Sequence, residues 1–168
     1  MERGKVIIVT AYCILNQNAV VKPLARAKGA YNQIVEGILE HNWGIHQLPC
    51  PETLFLGLER KPMTKQEYNQ PEFLALCQKL AEVEVDRLLI YQQAGYRIVG
   101  VLGINHSPTC SLQGEKGIFM EHLMEIAENK GLKLKFNDVS TQYKENEKQE
   151  NINELLRFFE KNQEKQTK

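Results

Sequence analysis

The sequence has no excess of charge of either sign: 21 Lys and Arg balance 21 Asp and Glu. Proteins that grip nucleic acid by its phosphates usually carry a basic excess, so the chain gives no strong nucleic-acid signal. It has no apolar run near the roughly 20 residues that cross a bilayer, which argues against a membrane protein. The apolar segment behind Met1-Glu2-Arg3-Gly4-Lys5, Val6 to Val9, is too short for a secretory signal and lacks a small-residue cleavage pattern. Together these absences point to the cytoplasm, where the four cysteines stay reduced and disulfides explain little. No two cysteines stand at Cys-x-x-Cys spacing, as structural zinc sites often require. There is no Gly-x-Gly-x-x-Gly or phosphate-binding loop, since Gly100 and Gly103 lie inside an apolar run and not at its exit. The histidines show no ligand spacing: His46 reads as a satisfied residue inside a strand, and His41 and His122 fall on helix surfaces. Internal repeats and linker-like stretches are also missing.

What is present is an ordinary globular chain of 168 residues, 42% hydrophobic and 25% charged, long enough for one domain with a real core. Val6 to Tyr12 is rich in β-branched residues and reads as a buried strand. Residues 13–28 carry little pattern and read as a loop. Tyr31, Ile34, Val35, Ile38 and Leu39 fall at helical spacing before Gly44. A short strand, Gly44 to Pro49, leads into a loop over 50–70. A helix begins near Pro71 and runs to Gly95, with Phe73, Leu76, Cys77 and Leu80 on its apolar stripe. Tyr96 to Ile104 is a third strand, Met120 to Gly131 a third helix, and Leu132 to Phe136 a fourth strand. Ile152, Leu155, Leu156 and Phe159 mark a last helix.

Strands that alternate with helices imply parallel β-α-β units, an α/β fold built as a single three-layer sandwich around a mainly parallel sheet. Residues 1–140 form the α/β domain. Residues 141–168 are a polar segment and a C-terminal helix packed on that domain. The run KENEKQENINE reads as solvated, and residues 160–168 as a frayed tail.

Parallel sheets bind ligands beyond the carboxyl ends of their strands. Cys13, Cys50 and Cys110 each follow a different predicted strand, so a parallel sheet would bring three thiols to one edge. Cys77 differs, because its place on a helix stripe makes it a small buried hydrophobe. Soft thiolates select zinc, copper(I) or iron–sulfur clusters. A four-iron cluster normally takes four cysteines, so three would leave one iron open to a substrate, water or an external sulfur. Cysteines that merely sit near strand ends are the plainer alternative.

The segments VTAYCILNQN (9–18), CPE (50–52) and SPTC (107–110) occur in order, each after a strand, and GEKGIFMEHL (114–123) follows. In this order the chain resembles the thiouracil desulfidase family, first described as a domain of unknown function. The resemblance covers residues 5–136. It implies a Rossmann-like α/β domain with a [4Fe–4S] cluster on three cysteines, here Cys13, Cys50 and Cys110. It further implies removal of sulfur, as sulfide, from a thiolated pyrimidine or similar small thio-compound, with Glu52 as catalytic acid/base and Ser107 assisting. The chain departs from the family pattern after the first cysteine, where it reads Ala19-Val20-Val21-Lys22-Pro23, and after Glu52, where it reads GLERKPMTKQ. It also has Asn16 where the family has glycine. The ligand positions survive these changes, which mark a divergent branch.

Taken alone, Glu52 is also compatible with a solvated loop carboxylate or a helix-start charge, and Ser107 with a turn former. Asn16, Asn105 and His106 lie near the same edge and are candidate substrate contacts. Lys22 and Arg60 are candidate cations for an anionic group. Two other readings stay open: a non-catalytic carrier of sulfur or metal, and a metal-free effector-binding α/β module.

Overall fold

The computed structural model describes residues 1–146 and 150–161. The chain runs through β1 (Val6–Thr10), α1 (Tyr12–Leu15), α2 (Asn32–Glu40), β2 (Gly44–Gln47), α3 (Pro51–Leu56), α4 (Lys65–Tyr68), α5 (Pro71–Gln93), β3 (Arg97–Ile104), α6 (Ile118–Asn129), β4 (Phe136–Val139) and α7 (Glu150–Glu160). The four strands form one all-parallel sheet in the order β2-β1-β3-β4. α5 packs along α6 and α2 packs with α7, so the sheet lies between two helical layers. The α/β three-layer sandwich expected from the alternation of apolar patterns is the fold.

Burial explains the assignments. Ile8, Val9, Val101 and Leu102 have no solvent exposure, because a parallel sheet is covered on both faces. α5 starts with Pro71 in its first turn and buries Phe73, Cys77, Ala81, Val85 and Leu88 along one stripe. Cys77 sits in the core as expected. Glu84 is buried on the same stripe, held by His46 Nε2 at 2.7 Å and Arg87 Nη1 at 2.8 Å. α7 closes the other face: Leu156 packs on Gly37, and Phe159 on Gly100. His41, expected on a helix surface, is instead partly buried and joins α2 to α7 through Glu160.

Three expectations are corrected. The fourth strand is Phe136–Val139, not Leu132–Phe136. Gly131 adopts φ 77°, and the Leu132 amide turns back to the Ala127 carbonyl, so residues 132–134 finish the helix exit and bonding to β3 opens at the Lys135 carbonyl, which accepts from the Val101 amide. The segment 50–70 is not all loop. Pro51 opens α3, and Thr64 with Glu67 forms a reciprocal capping box that starts α4. Residues 13–28 are likewise not all loop, since α1 and two 3-10 turns, Gln17–Ala19 and Lys22–Leu24, interrupt them. The tail at 162–168 lies outside the described residues.

The strand order has a functional consequence. From β1 the chain moves out to β2, then crosses back to β3 on the other side of β1. The direction of winding reverses between β1 and β3, and a crevice opens there at the carboxyl edge.

Candidate functional site

That crevice holds a cavity of about 380 Å³ lined by Cys13, Cys50, Glu52, Ser107, Thr109 and Cys110, among others. Each thiol reaches it from a different strand. β1 ends at Thr10 and passes into α1, which carries Cys13. β2 ends at Gln47, and Cys50 immediately precedes α3. β3 ends at Ile104, and the following turn carries Cys110. Burial, reinforced by the neighbouring Cys50, pushes the Cys13 thiol up to about 12. Burial first, then the charges Cys13 and Cys50 would carry, holds Cys110 well above the ordinary thiol range. The thiols therefore sense one another across the cavity. Burial thus keeps Cys13 and Cys110 protonated in the metal-free protein, and a thiophilic metal must displace those protons.

Glu52 is almost wholly buried and firmly placed. Its Oε1 accepts a 2.7 Å hydrogen bond from the Thr109 hydroxyl, and its Oε2 accepts one from Arg60 Nε at 3.1 Å. Arg60 is itself buried and donates also to the carbonyls of Ala19 and Gly57, at 2.7 and 3.0 Å. Arg60 thus binds the carboxylate and two loops, and is not available to an incoming anion. Lys22 is no cavity cation either, since it pairs with Glu59 at the surface.

The Cys110 turn is built from side-chain oxygens. Ser107 Oγ accepts from the amides of Thr109 (3.3 Å) and Cys110 (3.0 Å), which shapes the turn, and its hydroxyl lies 3.4 Å from Thr109 Oγ1, a long contact that an incoming acceptor can replace. The buried Asp138 carboxylate accepts from the amides of Leu112 and Gln113, with the Gln113 bond at 2.8 Å, and contacts the Ser111 hydroxyl. Sequence reasoning missed Asp138 because it placed β4 too early. Two glycines admit the turn. A Cβ on Gly103 would lie 2.5 Å from the Cys110 carbonyl oxygen, and one on Gly117 would lie 2.5 Å from the Cys110 amide nitrogen.

Asn105 and His106 line the cavity, with His106 in the left-handed region at φ 60°. Asn16 does not line it; its side chain accepts from the Asn18 amide and caps a 3-10 turn. Sequence reasoning also missed two cavity residues: Arg26, from the stretch that lacked periodicity, and Tyr31, read there only as part of a helix's apolar spacing. Gln17 is buried behind them. It donates to the Cys13 carbonyl at 2.7 Å and accepts from the Arg26 amide at 3.0 Å, tying the first thiol to Arg26. A second cavity, of about 620 Å³, shares residues 105–108 with the first.

Among the described residues, no three His, Cys, Asp or Glu side chains stand where they could hold a single metal ion. A one-ion thiolate site needs every sulfur about 2.3 Å from one point. A cluster instead takes its cysteines on separate irons, around a wider core. The donor set is three soft thiols around an open space, which suits an iron–sulfur core by its chemistry. Among the described residues no helix is long and apolar enough to cross a membrane.

Fold and site together define a doubly wound α/β protein with three thiols and a buried carboxylate at its switch-point cavity. An uncharacterized protein of Methanocaldococcus jannaschii, MJ0003, is 39% identical to it over 159 residues, covering 95% of this chain and 97% of the relative. The chain belongs to the family of that protein. No family model matches the chain, and no solved structure matches it.

Proposed function

We propose that the cavity is the active site of an iron–sulfur-dependent desulfidase, which converts the thiocarbonyl of a thiolated pyrimidine or similar small thio-compound to a carbonyl and releases sulfide. This is the chemistry implied by the resemblance to the thiouracil desulfidases. The observation that carries it is the convergence of Cys13, Cys50 and Cys110 on one cavity beside Glu52. In this reading the three cysteines hold a [4Fe–4S] cluster, and the protein works in the reducing cytoplasm, where its four cysteines remain free.

When bound, such a cluster with one iron lacking a protein ligand supplies a soft Lewis acid for a thiocarbonyl sulfur. The protein's own residues handle water and protons. Glu52 is oriented by Arg60 and Thr109, yet each carboxylate oxygen keeps further acceptor capacity, so it can take a proton from a water at the cavity floor. Water adds to the thiocarbonyl carbon, the C–S bond breaks, and sulfide leaves with the substrate carbon now bonded to oxygen. No electrons are gained or lost. Ser107, whose oxygen already accepts two amides, donates its hydroxyl proton to a substrate heteroatom. Val21 and Met63 add apolar surface to the cavity lining.

Anaerobic purification tests the reading. The protein should carry about four irons per chain with matching acid-labile sulfide, and should turn 2-thiouracil or a related thio-heterocycle into its oxo form plus sulfide. A chain that takes up no iron under reducing, anaerobic reconstitution rules it out. In iron-loaded protein, Glu52→Gln should lower kcat by about 10²–10⁴-fold, the usual scale for a lost general base, while iron content stays native. That substitution leaves the buried Arg60 without its carboxylate, so a lower melting temperature accompanies it. Rates are therefore compared below the melting transition of both proteins.

A further inference from the structure

Two guanidinium groups line the cavity, and they differ in what they are bound to. Arg60 is saturated by Glu52 and by backbone carbonyls. Arg26 has no carboxylate partner among the described residues. Its Nη1 donates to the Ser140 carbonyl, and its guanidinium carbon lies 5.5 Å from the centre of the Tyr31 ring. The ring gives the planar group a flat support, and the Ser140 bond fixes its far end. Most of its N–H donors are left uncommitted in a partly buried position beside Cys13. The backbone is fixed too, since the Arg26 amide donates to the buried Gln17 side chain that also holds the Cys13 carbonyl.

A permanently charged group without a counter-charge in a partly buried position beside apolar lining carries a desolvation cost. Among the described residues no carboxylate pairs with it, and an anionic ligand would offset that cost. We propose that Arg26 is the recognition residue for a carboxylate on the cavity's ligand, so that the substrate is a small, singly charged thio-compound rather than a neutral one. A rigid, planar fork of N–H donors matches a carboxylate's two oxygens. Among the described residues Arg26 is the one cation of this cavity of about 380 Å³ without a carboxylate partner, and it balances one negative charge, whereas a doubly charged phosphate ester would need a second. The other nearby lysine, Lys65, opens on the outer cavity and is paired to Glu121 at 2.8 Å. The inference rests on the desulfidase reading for the sulfur-bearing end of the ligand; the carboxylate contact rests on Arg26 alone.

The test uses sulfur-free probes, which bind without turnover, on the anaerobically purified protein. Orotate and uracil differ by one carboxylate. Calorimetric titration should show orotate binding at least about tenfold more tightly than uracil, the scale of one charge-assisted hydrogen bond. Arg26→Gln should bring the two affinities together with little change for uracil, and Arg26→Lys should restore part of the preference. Iron content and melting temperature of Arg26→Gln should stay native. Equal affinities in the native protein, or a preference that survives Arg26→Gln, overturn the proposal. Inorganic phosphate displacing orotate at lower concentration than acetate does would reassign the site to phosphate. Loss of iron in Arg26→Gln with the orotate preference intact would assign Arg26 to the metal instead. Failure of the desulfidase reading looks different, because no sulfide is then released from 2-thiouracil or 2-thioorotate while the carboxylate preference persists.

Discussion

Cys13→Ala, Cys50→Ala and Cys110→Ala will each purify anaerobically with little or no iron, against about four irons per chain in the native protein. The reason is arithmetic in ligands. Besides the three thiols the cavity lining holds Glu52, tied to Arg60 and Thr109, and His106, and neither supplies a thiolate to replace a lost cysteine. A cluster with one iron already lacking a protein ligand has no spare anchor, so loss of any one cysteine leaves two. Cys77→Ala is the internal control. Cys77 lies in the core stripe of α5 and does not line the cavity, so its removal costs about 1 kcal/mol of packing and leaves the iron in place. Iron and sulfide analysis with the visible spectrum reads all four variants. A Cys50 variant that kept its iron would break the set, because Cys50 owes its place to the short loop before α3.

How far the sequence reaches can be seen at these same residues. The apolar runs of β1 and β3 are legible because a strand covered on both faces must be apolar along its length, and their ends put Cys13 and Cys110 near one another. β2 is short and less buried, yet Gly44 and the Cys50-Pro51 step bound it. β4 misleads for a physical reason. Leu132-Lys133-Leu134-Lys135-Phe136 alternates as a half-exposed strand should, whereas the true strand, Phe136–Val139, contains a buried aspartate. Asp138 is tolerated there because the amides of Leu112 and Gln113 solvate it, and those donors come from a turn some 25 residues earlier in the chain. No local periodicity encodes that partnership. The same limit applies to the two arginines. Charge and position make Arg60 and Arg26 equivalent on paper, and only the folded chain shows that Glu52 pairs with one while the other has no carboxylate partner among the described residues.

Gly117→Ala should be among the most damaging single-methyl changes in the protein, and its effect should be read at Cys110. Gly117 has φ −71° and ψ 152°, values open to any residue, so its requirement is for space and not for backbone freedom. A Cβ there would overlap the carbonyl carbon of Thr109 and lie 2.5 Å from the Cys110 nitrogen. Both obstacles are backbone atoms, which cannot rotate away as the end of a side chain can. Either the start of α6 or the Thr109–Cys110 peptide must move. The Thr109 hydroxyl then loses its alignment with Glu52, and Cys110 its place at the cavity. The expected cost is at the upper end of the roughly 1–3 kcal/mol of overpacked cores, a fall of about 6–12 °C in Tm for a domain of this size. Iron retention should fall along with it. Gly29→Ala provides the contrast: a Cβ there meets nothing within 4 Å, so Tm and iron content should stay native. Asp138→Ala approaches the same turn from the other side, stripping the acceptor from the buried Leu112 amide and its neighbour at Gln113, and should reproduce the loss of iron without adding a single atom. If Gly117→Ala melts early yet keeps its full iron, the turn that carries Cys110 does not hold the metal, and the third ligand must be sought elsewhere.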